Sequence, residues 1–130
     1  TELPVIATMT FNRNPGGEFR TMMGVTPEDA VRLMIEEGAD VVGANCSLTP
    51  SEMADLAALV RPIVDCPLIV QPNAGRPRVE NGVTVYDPIE DLDGAIRSMS
   101  DAGADMIGGC CGTDPEYVRA VRRILDGLSN

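Results

Sequence analysis

Short, unbroken apolar runs alternate with amphipathic stretches along this chain. The runs are Val5-Ile6-Ala7-Thr8-Met9-Thr10, Val41-Val42-Gly43-Ala44, Leu68-Ile69-Val70-Gln71 and Asp105-Met106-Ile107-Gly108. They are too short for helices, and continuous runs of this kind suit parallel strands buried on both faces. A loop and a helix signal follow each run. Thr26-Pro27-Glu28-Asp29 offers an N-cap, a proline in the first turn and acidic residues that favour the helix dipole. Thr49-Pro50-Ser51-Glu52 and Asp114-Pro115-Glu116 repeat the design, and a third helix is expected from about Pro88 to Ala102. Val31, Met34 and Ile35, and likewise Leu56, Leu59 and Val60, fall at helical spacing and predict inward stripes. Gly38 and Gly103 fit helix C-terminal positions.

The pattern repeats. Gly38-Ala39-Asp40-Val41-Val42-Gly43-Ala44-Asn45-Cys46 aligns without gaps on Gly103-Ala104-Asp105-Met106-Ile107-Gly108-Gly109-Cys110-Cys111, 65 residues later, and Pro50 then falls on Pro115. A repeat spanning two βα units suits a (β/α) barrel, where alternate strands feed one interior layer. Four units make half of a barrel that typically needs ~250 residues. The chain starts at Thr1 and enters its first strand at once. The expectation is therefore an α/β fold of four consecutive βα units, residues 1–130 forming the C-terminal half of a (β/α)8 TIM barrel. Open sheet edges predict association, with the missing half or as a homo-oligomer.

In such folds the loops at strand C-termini carry the chemistry. Cys46, Cys110 and Cys111 all fall at that edge, as do Asn12 and Asn73, and the longest loops there are Phe11–Gly24 and Pro72–Asp87. Cys66, just before a strand in Asp65-Cys66-Pro67, falls at the opposite edge. Three thiols from two equivalent strand ends suit a soft metal; the competing reading is three small buried side chains. A redox pair is disfavoured because such motifs space their thiols as C-x-x-C, and an iron–sulfur cluster wants a fourth cysteine. Asn73 reads either as a substrate-positioning residue or transient fourth ligand, or as a turn residue before Ala74-Gly75. Gly43, Asn45, Gly108 and Gly109 shape the two loops, the glycines permitting tight turns and close approach of a metal.

Composition narrows the chemistry. The net charge is −10, with ten arginines, no lysine and no histidine. No basic stripe marks a nucleic-acid binder. No apolar run approaches the ~20 residues that span a bilayer, and no signal segment opens the chain, so the expected location is the cytoplasm. Without histidine, a transition-metal site must use thiols, carboxylates or amides.

Four blocks in register carry a family resemblance: Met9-Thr10-Phe11, Gly43-Ala44-Asn45-Cys46-Ser47-Leu48, Gln71-Pro72-Asn73-Ala74-Gly75-Arg76-Pro77 and Gly108-Gly109-Cys110-Cys111-Gly112-Thr113-Asp114-Pro115. The chain resembles the homocysteine-binding, zinc-dependent S-methyltransferase domain, as in cobalamin-dependent methionine synthase and betaine–homocysteine methyltransferase. The resemblance implies a (β/α)8 barrel of which this chain covers strands five to eight, with Cys46, Cys110 and Cys111 as zinc ligands. It implies methylation of homocysteine to methionine, with methylcobalamin bound elsewhere as donor in the methionine synthase branch. Betaine or S-methylmethionine is the alternative donor, and a non-catalytic zinc-binding half-barrel needing a partner is the alternative role. The family's opening Asp-Gly-Ala-Met-Gly-type motif has no counterpart here. The implied partners are the N-terminal barrel half and a cobalamin or folate module.

Overall fold

The computed structural model describes residues 2–129. Four parallel strands form its sheet: β1 (Ile6–Met9), β4 (Val41–Asn45), β5 (Leu68–Gln71) and β8 (Met106–Ile107), in the order β1-β4-β5-β8. Helices α1 (Pro27–Glu36), α2 (Pro50–Val60), α3 (Leu92–Asp101) and α4 (Pro115–Leu128) alternate with them. Three of the four helices start where the sequence says they should. Thr26 caps α1 through the Asp29 N–H, and Thr49 and Glu52 close a full capping box on α2. Asp114 caps α4 through the Tyr117 N–H. The third helix starts later than expected, at Leu92, because Asp91 accepts from the Gly94 N–H and fixes the start there.

Register sorts the strand residues into two rows. Ala7, Val42 and Leu68 pair across the sheet, as do Met9, Ala44, Val70 and Ile107. This row meets the helices, packing with Met53, Leu56, Val60, Ile96, Met99, Val121 and Ile124. The alternate row (Thr8, Gly43, Ile69, Met106) faces the other way. There the sheet is open: Ile6 is 54% and Met106 40% exposed. The expectation of strands buried on both faces therefore holds for β4 but fails for β1, β5 and β8. β5 alternates between buried and half-buried positions because the helices cover only one side. Ile35 and Leu59, expected inward, lie on exposed helix flanks, while Val31, Met34, Leu56 and Val60 are buried.

Both long loops contain antiparallel ladders. β2 (Asn12–Arg13) pairs with β3 (Phe19–Arg20), and Arg13 lies over the Phe19 ring while pairing with Asp55. β6 (Pro77–Glu80) pairs with β7 (Val83–Tyr86) across Asn81-Gly82, both at positive φ. Asn-Gly between alternating residues is the strongest short hairpin signal, so this hairpin was readable from sequence. Among the described residues, no helix is long and apolar enough to cross a membrane.

Candidate metal centre

The chain leaves β4 through an unusual turn. Cys46 and Ser47 are both left-handed, at φ 63 and 58°, a conformation that costs a side-chain-bearing residue roughly 1–2 kcal/mol. Neighbouring bonds hold it. The Cys46 N–H donates to Gln71 O at 2.9 Å, the Leu48 N–H to Cys46 O at 2.7 Å, and the Asn73 N–H to Leu48 O at 2.9 Å. Two left-handed residues let the strand turn into α2 within four residues, bringing the Cys46 sulfur over the end of the sheet.

The second ligand loop leaves β8 through Gly108-Gly109-Cys110-Cys111-Gly112. The buried Tyr117 hydroxyl, from α4, donates to Gly108 O at 3.1 Å. The Cys110 N–H donates to Pro72 O at 2.8 Å, and the Thr113 hydroxyl to Cys110 O at 2.7 Å. The Cys111 N–H donates to Asn73 Oδ1 at 3.2 Å, and the Ala74 N–H to Cys111 O at 2.9 Å. Asn73 is the only buried polar residue among those described, 4% exposed.

The glycines serve crowding more than metal access. A Cβ on Gly43 would lie 1.8 Å from Ile69 O, and one on Gly109 would lie 2.5 Å from the Thr113 hydroxyl. Gly108 is looser, with Gln71 Cγ at 3.3 Å. Asn45 pairs with Gln71 in register, on the open face of the sheet.

The three sulfurs of Cys46, Cys110 and Cys111 lie within 4.8 Å of one another. Cys46 Sγ is 3.6 Å from Cys111 Sγ, which is 4.0 Å from Cys110 Sγ. A tetrahedral zinc with ~2.3 Å bonds to sulfur needs sulfur–sulfur edges of about 3.8 Å. The donor set therefore fits zinc: three soft ligands, a chain without histidine, and a fourth position left to a ligand from outside the triad. Cys66 is not in this group; its carbonyl accepts from Arg61 at 3.0 Å below the sheet.

The thiols differ in acidity. Burial opposes ionisation of Cys46, but the Ser47 N–H and side-chain hydrogen bonds from Cys111, Cys110 and Asn73 outweigh it, and the pKa falls below the ordinary thiol value. Burial pushes Cys110 up to about 11, helped by its hydrogen bond to Cys46. Both ligand loops run into helix N-termini, α2 and α4, whose dipoles favour negative charge. Asn73 thus touches both loops, its Oδ1 accepting from the Cys111 N–H and its N–H donating to Leu48 O, and its side chain is among the groups that lower the Cys46 thiol.

Sequence reasoning placed the three thiols and Asn73 together, and the structure does the same. It missed Tyr117 and Tyr86. The first reads as one core position of an amphipathic helix; the second sits at the base of a hairpin that was read as loop. Asn12, expected at this edge, lies in the β2–β3 ladder beside Arg13, which is committed to Asp55 and Phe19.

Parallel strands with helices between them, and three clustered thiols at the strand C-termini, define an α/β protein with a cysteine cluster of the kind that could hold a metal ion. Comparison makes the class specific. Residues 1–125 match the family described as homocysteine S-methyltransferase, and the chain belongs to that family. It is 33% identical over 96 residues to a methionine synthase of Mycobacterium leprae, covering 69% of this chain and 8% of that protein. It is equally 33% identical over 86 residues to a methionine synthase of Mycobacterium tuberculosis, covering 65% of this chain and 7% of that one. The chain thus spans less than a tenth of the length of these relatives. Among solved structures it resembles the metallated form of the homocysteine methyltransferase MmuM from Escherichia coli, with a TM-score of 0.59 and 25% identity, over 77% of this chain and 30% of that one. The apo form of the same protein superposes at a TM-score of 0.61 with 23% identity, over 80% of this chain and 34% of that one.

Proposed function

We propose that this chain is the zinc-bearing part of a homocysteine S-methyltransferase of the methionine synthase type. The observation that carries the reading is the sulfur triangle of Cys46, Cys110 and Cys111, sized for one tetrahedral zinc and leaving one corner for a substrate thiol. Zinc, when bound, supplies a Lewis-acidic position at which an incoming thiol loses its proton at neutral pH. The protein's residues do the rest. Three thiolates hold the ion and keep the centre electron-rich, which favours a nucleophilic sulfur. Two helix N-termini and the Ser47 N–H offset the accumulated negative charge. Asn73 positions the substrate or completes the ligand set before it arrives. No general base is needed, which suits a chain without histidine.

The resemblance to cobalamin-dependent methionine synthase supports methylcobalamin, held by another module, as the methyl donor. Betaine or S-methylmethionine is the competing donor, and competition among the three in the whole protein separates them. The open face of the sheet supports a second point. With Ile6 and Met106 exposed on one side and all four helices on the other, the sheet has the form of a barrel wall. We infer that a further barrel half closes over it and contributes the amino-acid site. A chain deprived of that half is then a zinc-binding but inactive unit.

Zinc per chain in the reduced protein, measured beside a Cys46→Ala variant, tests the central claim. About one zinc per chain, lost in the variant, is expected. Zinc-free wild-type protein that refuses added zinc refutes the claim.

A further inference from the structure

The open face of the sheet changes character at its last row. Ile6 pairs with Val41 there, and Thr8, Gly43, Ile69 and Met106 form the next row. These rows carry one hydroxyl and no charge. The row after them is polar. Asn45 and Gln71 pair in register at the C-terminal ends of β4 and β5, so their amides lie side by side on the face that the helices leave open. Both residues are half-buried. Gly108 follows β8 in the same row, and a Cβ on it would lie 3.3 Å from Gln71 Cγ and 3.5 Å from Gln71 Nε2. The bare glycine gives the Gln71 side chain its room over the end of β8. Among the described residues, neither side-chain amide has a hydrogen-bond partner. The pair also adjoins the thiols. Asn45 immediately precedes Cys46, Gln71 O accepts from the Cys46 N–H at 2.9 Å, and Gly108 opens the loop that carries Cys110 and Cys111.

We propose that Asn45 and Gln71 are a specificity-determining pair: they hold the ammonium and carboxylate of an α-amino acid whose side-chain thiol takes the open corner beside Cys46, Cys110 and Cys111. The inference rests on the reading that the three thiols hold zinc and admit a substrate thiol. It gives this chain a share of the amino-acid site that the closing barrel half completes. A primary amide has a carbonyl that accepts and an NH2 group that donates. Two of them match a zwitterion, accepting from the ammonium and donating to the carboxylate. Neutral groups suit this place. A lysine or arginine would pair with the thiolates, and a carboxylate would add to the negative charge of three sulfurs. Covering the face turns the match into selectivity. A thiol without the amino-acid head leaves both amides buried and unpaired, and polar sites reject analogues that lack the group they bind for this reason.

Cobalt(II) serves as the metal probe, because its absorption reports a thiol entering the open corner. The reduced, cobalt-loaded protein and its Asn45→Leu and Gln71→Met variants are each titrated with homocysteine and with propane-1-thiol, which is the same thiol without the amino-acid head. The readout is the ratio of the two affinities, in which any change at the metal itself cancels. The wild type is expected to prefer homocysteine about a hundredfold, and each variant to lower that ratio about tenfold, as the loss of one hydrogen bond to a charged group would. A wild-type ratio near one overturns the proposal. So does a variant that keeps the wild-type ratio, including one in which both affinities fall together, because its amide then only supports the metal loops. A wild-type protein that takes up no cobalt, or whose bound cobalt admits neither thiol, overturns the zinc reading itself, and this inference with it.

Discussion

Gly43→Ala is the smallest change that tests how β4 and β5 position the ligands. The added Cβ would lie 1.8 Å from Ile69 O, 2.7 Å from Ile69 C and 2.8 Å from Ile69 Cγ2. Two of these are backbone atoms of the neighbouring strand, so no rotamer relieves the clash. The oxygen contact is about 1.5 Å short of ordinary van der Waals separation, and the strands must part by about that much. Gly43 pairs with Ile69 in the middle of the β4–β5 ladder. Overpacking costs about 1–3 kcal/mol, and two weakened ladder hydrogen bonds add about 1 kcal/mol each. A loss of about 3–5 kcal/mol lowers Tm by about 10–20 °C in a domain of this size. The same shift moves Cys46 away from the Gln71 and Asn73 contacts, so zinc affinity falls as well. Thermal melts followed by circular dichroism, with and without zinc, read both effects. Gly127→Ala is the control. In α4 a Cβ there meets nothing within 4 Å, so the same substitution is neutral or stabilising by up to about 1 kcal/mol. A Gly43→Ala variant melting within about 2 °C of the wild type would refute the argument that the strand contact, rather than the metal, requires glycine.

Other consequences follow from named contacts. Ser47→Gly removes one left-handed side chain, and stability should rise by up to about 1 kcal/mol in chemical denaturation; a clear loss would mean the hydroxyl does more than turn the chain. Arg61→Ala breaks bonds to Gly103 O at 3.1 Å, Asp105 at 2.8 Å, Cys66 O at 3.0 Å and Val64 O. It should cost about 2 kcal/mol, with Arg61→Lys recovering only part because one ammonium cannot span four acceptors. Tyr117→Phe should cost about 1 kcal/mol at neutral pH through the lost bond to Gly108 O. Burial raises the Tyr117 phenol to about 12, so the stability it contributes is complete below about pH 10 and is lost as pH rises toward 12. Tyr117→Phe should therefore flatten the loss of stability in that window, and an unchanged alkaline profile would show that Tyr117 does not titrate with unfolding. In metal-free reduced protein at pH 7–8, iodoacetamide should modify Cys46 before Cys110, because one thiol is lowered and the other raised to about 11; peptide mapping showing the reverse order would contradict the assigned hydrogen bonds.

Much of the site was legible because it repeats. Gly38 and Gly103 are both left-handed, at φ 93 and 98°, and they close equivalent helices at the same offset that separates Cys46 from Cys111. A gapless repeat preserves strand length and turn chemistry together, so it fixes which residues reach the same height above the sheet. Proline and an acidic or hydroxyl cap mark α1, α2 and α4 because those signals act locally. The missed features depend on contacts that local sequence does not encode. Nothing in Cys46-Ser47 announces two left-handed residues, since neither is glycine or asparagine and the strain is held by Gln71 and Asn73 far along the chain. Ile35 and Leu59 sit at apolar spacing yet stay exposed, because helical periodicity gives a stripe without saying how wide a surface will cover it. The hairpin ending at Tyr86 was legible in Asn81-Gly82, and reading the whole of Pro72–Asp87 as one loop hid it.

The sheet order explains why Asn73 belongs to the site. β4 and β8 carry the thiols, but they are not neighbours; β5 lies between them. The loop leaving β5 is therefore placed to hold both thiol loops at once, and it does so on both sides. Gln71 O and the Asn73 N–H engage the Cys46 loop, while Pro72 O, the Ala74 N–H and Asn73 Oδ1 engage the Cys110-Cys111 loop. The sulfur spacing thus depends on the Pro72-Asn73-Ala74 backbone as much as on the cysteines. Asn73→Ala keeps the main-chain bonds and removes only the side-chain link, whereas a change that bends this backbone separates the two loops. If the side chain acts as ligand or substrate partner alone, Asn73→Ala leaves the acidity of Cys46 untouched. If it also ties the loops, metal-free Cys46 reacts more slowly with iodoacetamide at fixed pH, because a hydrogen bond that favours its thiolate is gone. The slower rate is the expected outcome, and an unchanged rate would confine the Asn73 side chain to its bond with the Cys111 N–H.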